Sequence, residues 1–408
     1  MLKQTKPTQV IVLGGGYAGT LAALSIAGRT KGQAVEVLLV NGADHFVERI
    51  RHHQLAAGQR SVQRPFATLL AGSRVRFVQG WCTALAPAQK QITVQTPHDV
   101  MTLDYDYLIY ALGSTTETSR IPGVADYAHT LADEAAAARL QAHARQLAAQ
   151  RGRLLIVGGG LTGIEAATEL AESYPGLQVT LATSGKLGAA LAPAGAAHVQ
   201  QVFAKLGITV VEDTPIARLT ANAAESTDGR TLPFAGCLWT GSFVVPKLAA
   251  EAGLPVDNRG RLLVDEFLRV RNHSAIYAAG DVAATPLRMA CATAMPMGAY
   301  VANHLTAHIK GQPLPAPFRF SYLIQCISLG RHNGLVQFVQ ADDTPKTRII
   351  TGWAAARIKE LICRYTVWSL PLAKRWPGSY TWPQGRQIVD EPFEQPEQVP
   401  YGQPATNL

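Results

Sequence analysis

Two stretches of this chain share one grammar. The first is QVIVLGGGYAGTLAALSIAGR followed by AVEVLLVNG, and the second is RLLIVGGGLTGIEAATELAES followed by LQVTLATSG. Each runs from an apolar strand through G-x-G-x-x-G into a small-residue helix and on to a second strand. That is the βαβ unit of a dinucleotide-binding fold, and its duplication constrains the architecture more than any other feature. Gly14 and Gly158 permit the tight turn out of the strand, Gly16 and Gly160 let the backbone come close to a pyrophosphate, and Gly19 and Gly163 let the helix pack on its sheet. The helix N-termini then offer unpaired N–H groups and a positive dipole end to the phosphates. Tyr17 and Ala18 open the first of these helices and join the candidate cofactor-binding residues. One such glycine motif also arises for packing alone; two in this setting favour nucleotide binding.

The 408 residues are enough for two or three domains, and 47% apolar with 16% charged residues is the balance of a chain that buries several cores. The excess of 37 Lys and Arg over 29 Asp and Glu gives a formal charge of +8, which suits anionic cofactors or an acidic membrane surface. Nucleic acid is not expected as a partner, because no basic run with interleaved aromatics occurs. The five cysteines are scattered, odd in number and without a C-x-x-C pair, so a disulfide framework is not expected and a reducing compartment fits. The start, MLKQTKPTQVIVLGGG, lacks the apolar segment and cleavage site of a secretory signal, and no uncharged apolar run is long enough to span a bilayer. A cytoplasmic location is expected, with peripheral contact at the inner face of the cell membrane left open.

Further strands are predicted in RVRFVQGW, QITVQTP, YDYLIYALGS, GITVVED, GRLLVDEF and SAIYAAGDVA. Beyond residue 310 the texture changes: KGQPLPAPFRF reads as a linker, SYLIQCISLGRHNGLVQFV as a hairpin, WAAARIKELICRYTVWSL as a helix, and EPFEQPEQVPYGQPATNL as a loosely ordered tail. The helix predicted in LRMACATAMPMGAYVANHLTAHI carries Pro296, which should interrupt or kink it.

With these motifs in order, residues 8 to 310 resemble flavoproteins with two dinucleotide-binding domains, and among them the type II NADH dehydrogenases and apoptosis-inducing-factor-like oxidoreductases. The resemblance implies an α/β fold with two Rossmann-like domains, the NAD(P)H domain inserted into the FAD domain, plus a small C-terminal α+β region. The expected division is 1–118 and 239–312 for FAD, 119–238 for NAD(P)H, and 313–408 for the C-terminal region. It implies FAD on the first glycine turn and NAD(P)H on the second. YDYLIYALGS looks like the crossover that brings Gly113 to the flavin nucleotide, and AIYAAGDVA like the second FAD signature, whose Asp281 accepts from the ribityl chain. The residues agree independently, since an apolar strand ending in Gly-Asp puts a carboxylate at the sheet edge where ligands sit; capping the next helix is the plainer role. Cys82 follows VQGW where the family's backbone meets the adenine, with a buried, hydrophobe-like role favoured for its side chain.

The chain departs from the family at both strand ends that normally carry a ribose-binding acid. Asn41 takes the first place and can still accept from a hydroxyl. Thr183 takes the second, removing the charge that repels a 2′-phosphate, while Lys186 could approach one; NADPH is favoured and NADH left open. Glu165 occupies the family position beside the nicotinamide and flavin rings, where it either positions the nicotinamide or merely suits the helix dipole. HFVERIRHHQLAAGQR offers Arg49, Arg51, His52 and His53: the histidines are candidates for proton supply, but the favoured reading has an arginine neutralise the pyrophosphate and the histidines pack. No metal is expected, because the adjacent His52 and His53 cannot chelate one ion from a single helix face and His304 with His308 has no carboxylate or cysteine companion.

Quinone is the family's usual acceptor, but the glutamines that would frame it are replaced in CATAMPMG by Ala292 and Met297. On the last helix, Ile358, Leu361, Tyr365, Trp368 and Leu372 form a stripe that either lies on a membrane surface or docks on the flavin domain or a second copy, with docking favoured. The expectation is an FAD-dependent NAD(P)H oxidoreductase that passes electrons to a small acceptor, a quinone being one candidate. A flavoenzyme acting directly on an organic substrate with a vestigial NAD half, and a non-enzymatic redox sensor, are the rivals.

Overall fold

In the computed structural model of the chain, residues 6–60 and 62–389 are described; the tail from 391 onward lies outside them. The strands Thr8–Leu13, Val35–Asn41, Val75–Gln79, Tyr107–Tyr110 and His273–Ala278 form one parallel sheet, in the order 273, 107, 8, 35, 75, with Arg269–Val270 antiparallel at one edge. Both faces of such a sheet are covered, so its strands are continuous apolar runs; Val10, Val12, Leu39 and Ile109 are fully buried. A second parallel sheet runs Thr209–Val211, Gln178–Ala182, Arg153–Val157, Gly236–Trp239. The strands on either side of this second sheet in sequence therefore return to the first.

The C-terminal region holds a three-stranded antiparallel sheet, Ile324–Ser328, Gly334–Val339 and Pro345–Thr351, followed by the helix Gly352–Arg375. That helix packs on the three-stranded sheet and on the helix Tyr17–Arg29, tying the region to the first parallel sheet's layer. The helix Cys291–Ile309 also packs on Tyr17–Arg29, so closely that a Cβ at Gly298 would collide with the Ala18 backbone.

Four expectations change. GRLLVDEF is not a strand: Leu262 and Val264 make only isolated bridges, because Asp257 and Asp265 each fold the backbone back through turn hydrogen bonds. Pro296 does not interrupt its helix; it lies near the N-terminal end of Cys291–Ile309, and the helix continues through it. The strand Pro345–Thr351 was not expected, its alternation being too polar to register. Finally, the apolar stripe of the last helix does not dock on the flavin domain. Leu361, Tyr365 and Trp368 are exposed, and the buried face is instead Ala355, Cys363, Thr366, Leu370 and Ala373, mostly small residues that let the helix approach closely.

Candidate active site

The two glycine turns have the same construction. Gly14 and Gly158 have φ of +101° and +121°, in the left-handed region, and a Cβ on either would strike Ala111 or Thr240, just past the end of a neighbouring strand of the sheet. A Cβ at Gly19 or Gly163 would collide with the carbonyl of Gly14 or Gly158, which is how each helix seats on its own strand. At Gly16 and Gly160, by contrast, a Cβ would meet nothing within 4 Å. That free space lies at the N-termini of helices Tyr17–Arg29 and Leu161–Ser173, where an anionic diphosphate gains from the free amides. Both turns therefore fit a dinucleotide.

Around the first turn, Gly15 N–H donates to Asn41 Oδ1 at 2.8 Å and Asn41 Nδ2 donates to the Ala43 carbonyl at 2.9 Å. Asn41 thus fastens the turn; an acid there would keep the acceptor for Gly15 but would set a carboxylate oxygen against the Ala43 carbonyl. Arg49 donates to the Ser114 carbonyl, and Ser114 Oγ donates to Asp281 Oδ2 at 2.6 Å, with Gly113 beside the guanidinium. Residues from three distant segments so converge at one sheet edge. Gly280 N–H points to the Met297 sulfur at 3.3 Å, which explains why methionine suffices there: it braces the Gly-Asp turn. Tyr17 turns its ring inward, edge-on to Phe46 at 5.1 Å, leaving only its backbone for a phosphate. Cys82 lies on the strand Trp81–Ala86, and burial pushes its thiol up to about 11, so it is inert as a nucleophile. Its neighbour Trp81 covers Gly42.

At the second turn Thr183 is buried against Gly159. Lys186 does not stand free: its ammonium pairs with Asp213 and, at 3.2 Å, with Glu212, both at the end of the neighbouring strand. The nearby Arg230 is held by Asp228 at 2.7 Å.

The helix Leu161–Ser173 after the second glycine turn carries Glu165, and here the structure assembles a cluster the sequence did not disclose. Glu165 Oε1 accepts from Lys359 Nζ at 3.0 Å and from the Ser328 amide at 2.9 Å. Lys359 comes from the last helix and also donates to the Cys326 carbonyl at 3.2 Å. His53 Nδ1 lies 3.9 Å from Glu165 Oε2, and its Nε2 is 3.4 Å from Ser328 Oγ. Burial alone would raise the Glu165 carboxyl, but the Lys359 ammonium, helped by the Ser328 amide, outweighs it and holds it below its ordinary range. Burial would lower the Lys359 ammonium, yet Glu165 holds it above its ordinary range. Burial pushes His53 down to about 4, so it is neutral. His52 is lowered too, chiefly by burial, and its Nδ1 is tied to the Leu131 carbonyl at 2.8 Å. Arg51 turns away from the turn to Glu48 and Glu360.

Residues 8–302 match the family described as pyridine nucleotide-disulphide oxidoreductase. The chain belongs to that family. An NADH dehydrogenase-like protein of Mycobacterium tuberculosis is 28% identical over 353 residues, 79% of this chain and 86% of that one. A type II NADH:quinone oxidoreductase of Staphylococcus haemolyticus is 27% identical over 87% of this chain and 94% of its own length. The fold is also that of NDH2 from Plasmodium falciparum, solved in complex with NADH, with a TM-score of 0.75, 17% identity, and 92% of this chain and 99% of that one covered. This pyridine nucleotide-disulphide oxidoreductase is an FAD-dependent enzyme of NAD(P)H oxidation. It carries the family's two dinucleotide folds without a paired cysteine: all five of its cysteines are free, and none lies in a C-x-x-C.

Beside the Glu165 cluster a groove of about 910 Å³ opens between residues 48–69 and the last helix. Its walls mix the aromatics Tyr365 and Trp368 with Arg51, Arg331 and Arg364, and His52 lines it one residue from the cluster. Among the described residues no helix is long and apolar enough to cross a membrane. Lys359 was the residue sequence reading missed. Its signal was its phase: it stands four residues from both Ala355 and Cys363, on the small-residue face rather than the exposed stripe.

Proposed function

We propose that this oxidoreductase passes electrons from NADH through FAD to a quinone that enters by the groove beside the last helix. The groove carries the reading: it is amphipathic, its lining includes His52 and Glu360, the chain neighbours of His53 and Lys359, and its mouth is flanked by exposed Leu361, Tyr365 and Trp368. FAD, when bound, supplies the two-electron centre that links nicotinamide oxidation to acceptor reduction. The first glycine turn with Arg49, Gly113 and Asp281 would hold it; the second turn would hold the coenzyme, and Glu165 would fix the nicotinamide side. Lys359 supplies positive charge where reduction adds negative charge. NADH is favoured over NADPH because Lys186 and Arg230 are already held by carboxylates, which would repel a 2′-phosphate. The exposed aromatics with Arg357, Arg364 and Arg375 around them suit peripheral contact with an anionic membrane, from which a lipid-soluble quinone would enter.

The test is steady-state reduction of a short-chain quinone by NADH in the wild type and in Trp368→Ala. The variant should lose several-fold in kcat/KM for the quinone while NADH bleaches its flavin at the wild-type rate. Equal quinone kinetics in both proteins would remove the groove from the reaction.

A further inference from the structure

The helix Leu161–Ser173 presents three carboxylates to the C-terminal hairpin, one per turn. Glu165 binds the Ser328 amide and Glu172 the Arg331 amide. Glu169, between them, differs from both. Its side chain is fully buried, Gln59 Nε2 donates to its Oε2 at 2.7 Å, and its Oε1 has no hydrogen-bond partner, with the Arg331 guanidinium 3.6 Å away. A buried carboxylate oxygen without a donor is costly, and the cost disappears when that oxygen carries a proton. Both groups that cover Glu169, Gln59 and Arg331, line the groove on their other side. Through Gln59 and Arg331 Glu169 is one contact from the groove, and it stands one helical turn from Glu165 on the same helix face.

Reduction of a quinone by NADH needs a proton from water. NADH gives up a hydride, which is two electrons and one proton; a quinone becoming a quinol takes two electrons and two protons. One further proton must reach a buried site in each turnover. We propose that Glu169 holds that proton and passes it from the groove to the Glu165, His53 and Lys359 cluster. The proposal rests on the acceptor reading above. The other members of the cluster are poorly suited to relaying a proton, since Glu165 is held ionised, Lys359 is held protonated and His53 is neutral. The groups facing Glu169 are Arg331 from the hairpin, Gln59 from the segment before residue 60, and Glu165 and Glu172 from its own helix. Burial, reinforced by the two neighbouring glutamates and only partly opposed by Arg331, raises its carboxyl to about 7, where it exchanges protons under ordinary conditions.

The plainer role is that Glu169 only fastens the hairpin, and the test separates the two. The FAD-loaded wild type, Glu169→Gln and Glu172→Gln are reduced with NADH. They are then mixed with a short-chain quinone and, separately, with dichlorophenolindophenol, which also takes up two electrons and two protons. Glu169→Gln keeps an acceptor for Gln59 but cannot titrate. Its reoxidation by both acceptors should slow by at least about tenfold, with a larger solvent isotope effect, and should lose the wild type's decline as pH rises through neutrality. Glu172→Gln, which loosens the same hairpin, should keep the wild-type pH profile. Independently of turnover, the infrared carboxylic-acid band of the wild type should titrate near neutral pH and be missing from Glu169→Gln. Reoxidation and infrared titration in Glu169→Gln like those of the wild type, or a Glu172→Gln profile matching that of Glu169→Gln, would overturn the proposal. Failure with the quinone alone, with the dye arm behaving as expected, counts against the acceptor reading and not against Glu169.

Discussion

Replacing Lys359 by methionine removes the cation from Glu165 while keeping most of the side chain's bulk. The pair is well shielded, with side-chain exposures of 18% and 11%, so solvent does little to soften the loss. Removing one partner of a buried pair costs about 3–5 kcal/mol. Glu165 has an escape, because it can take up a proton, and that sets a ceiling. Protonating a carboxyl of ordinary pKa 4.5 costs about 1.4 kcal/mol per pH unit above that value. The ceiling is thus roughly 4 kcal/mol near pH 7.5 and roughly 1.4 kcal/mol near pH 5.5. The sign follows from the direction of the shift: the Glu165 carboxyl is held down in the folded protein, so its contribution is present above its ordinary pKa and is lost as pH falls. Urea unfolding of wild type and Lys359→Met at the two pH values should show destabilisation of about 3–4 kcal/mol at the higher pH and less than half of that at the lower. The double variant with Glu165→Gln should recover part of the loss, since no charge is then left unpaired. A deficit that is the same at both pH values, or under about 1 kcal/mol at the higher, would refute the buried ion pair.

Two further outcomes follow from the turns. Gly16→Ala and Gly160→Ala add a methyl to open space and should leave unfolding unchanged while weakening FAD and NADH binding respectively, whereas Gly19→Ala and Gly163→Ala should destabilise the fold by well over about 1 kcal/mol; flavin retention and denaturation curves decide. Releasing Lys186 with the pair Glu212→Gln and Asp213→Asn should raise kcat/KM for NADPH relative to NADH by about tenfold, and an unchanged ratio would place the 2′-position elsewhere.

The glycine turns were legible because their requirements are local: a left-handed φ at Gly14 and Gly158 and a backbone contact at Gly19 and Gly163 leave no choice of residue. The two-sheet α/β plan followed from the same repeats. What the sequence concealed depends on contacts between distant segments. Lys359 meets a carboxylate 194 positions away, and Glu165's other partner, Ser328, contributes a backbone amide, which no side-chain pattern can reveal. Lys186 read as an available cation because its partners sit on the next strand. The apolar stripe of the last helix was correctly found as a stripe, but hydrophobic periodicity does not say which face packs. Close approach to Tyr17–Arg29 favours the small face of Ala355, Cys363 and Ala373, and leaves Trp368 outside.

Two nucleotides held on the two glycine turns, with Glu165 and Lys359 between domains, should exchange a hydride. Anaerobic mixing of the purified yellow protein with NADH in a stopped-flow instrument, followed by the flavin's visible absorbance, tests this most directly. Rapid, complete bleaching that is lost in Gly160→Ala is the predicted result. A flavin that stays oxidised in the presence of excess NADH and NADPH would contradict it.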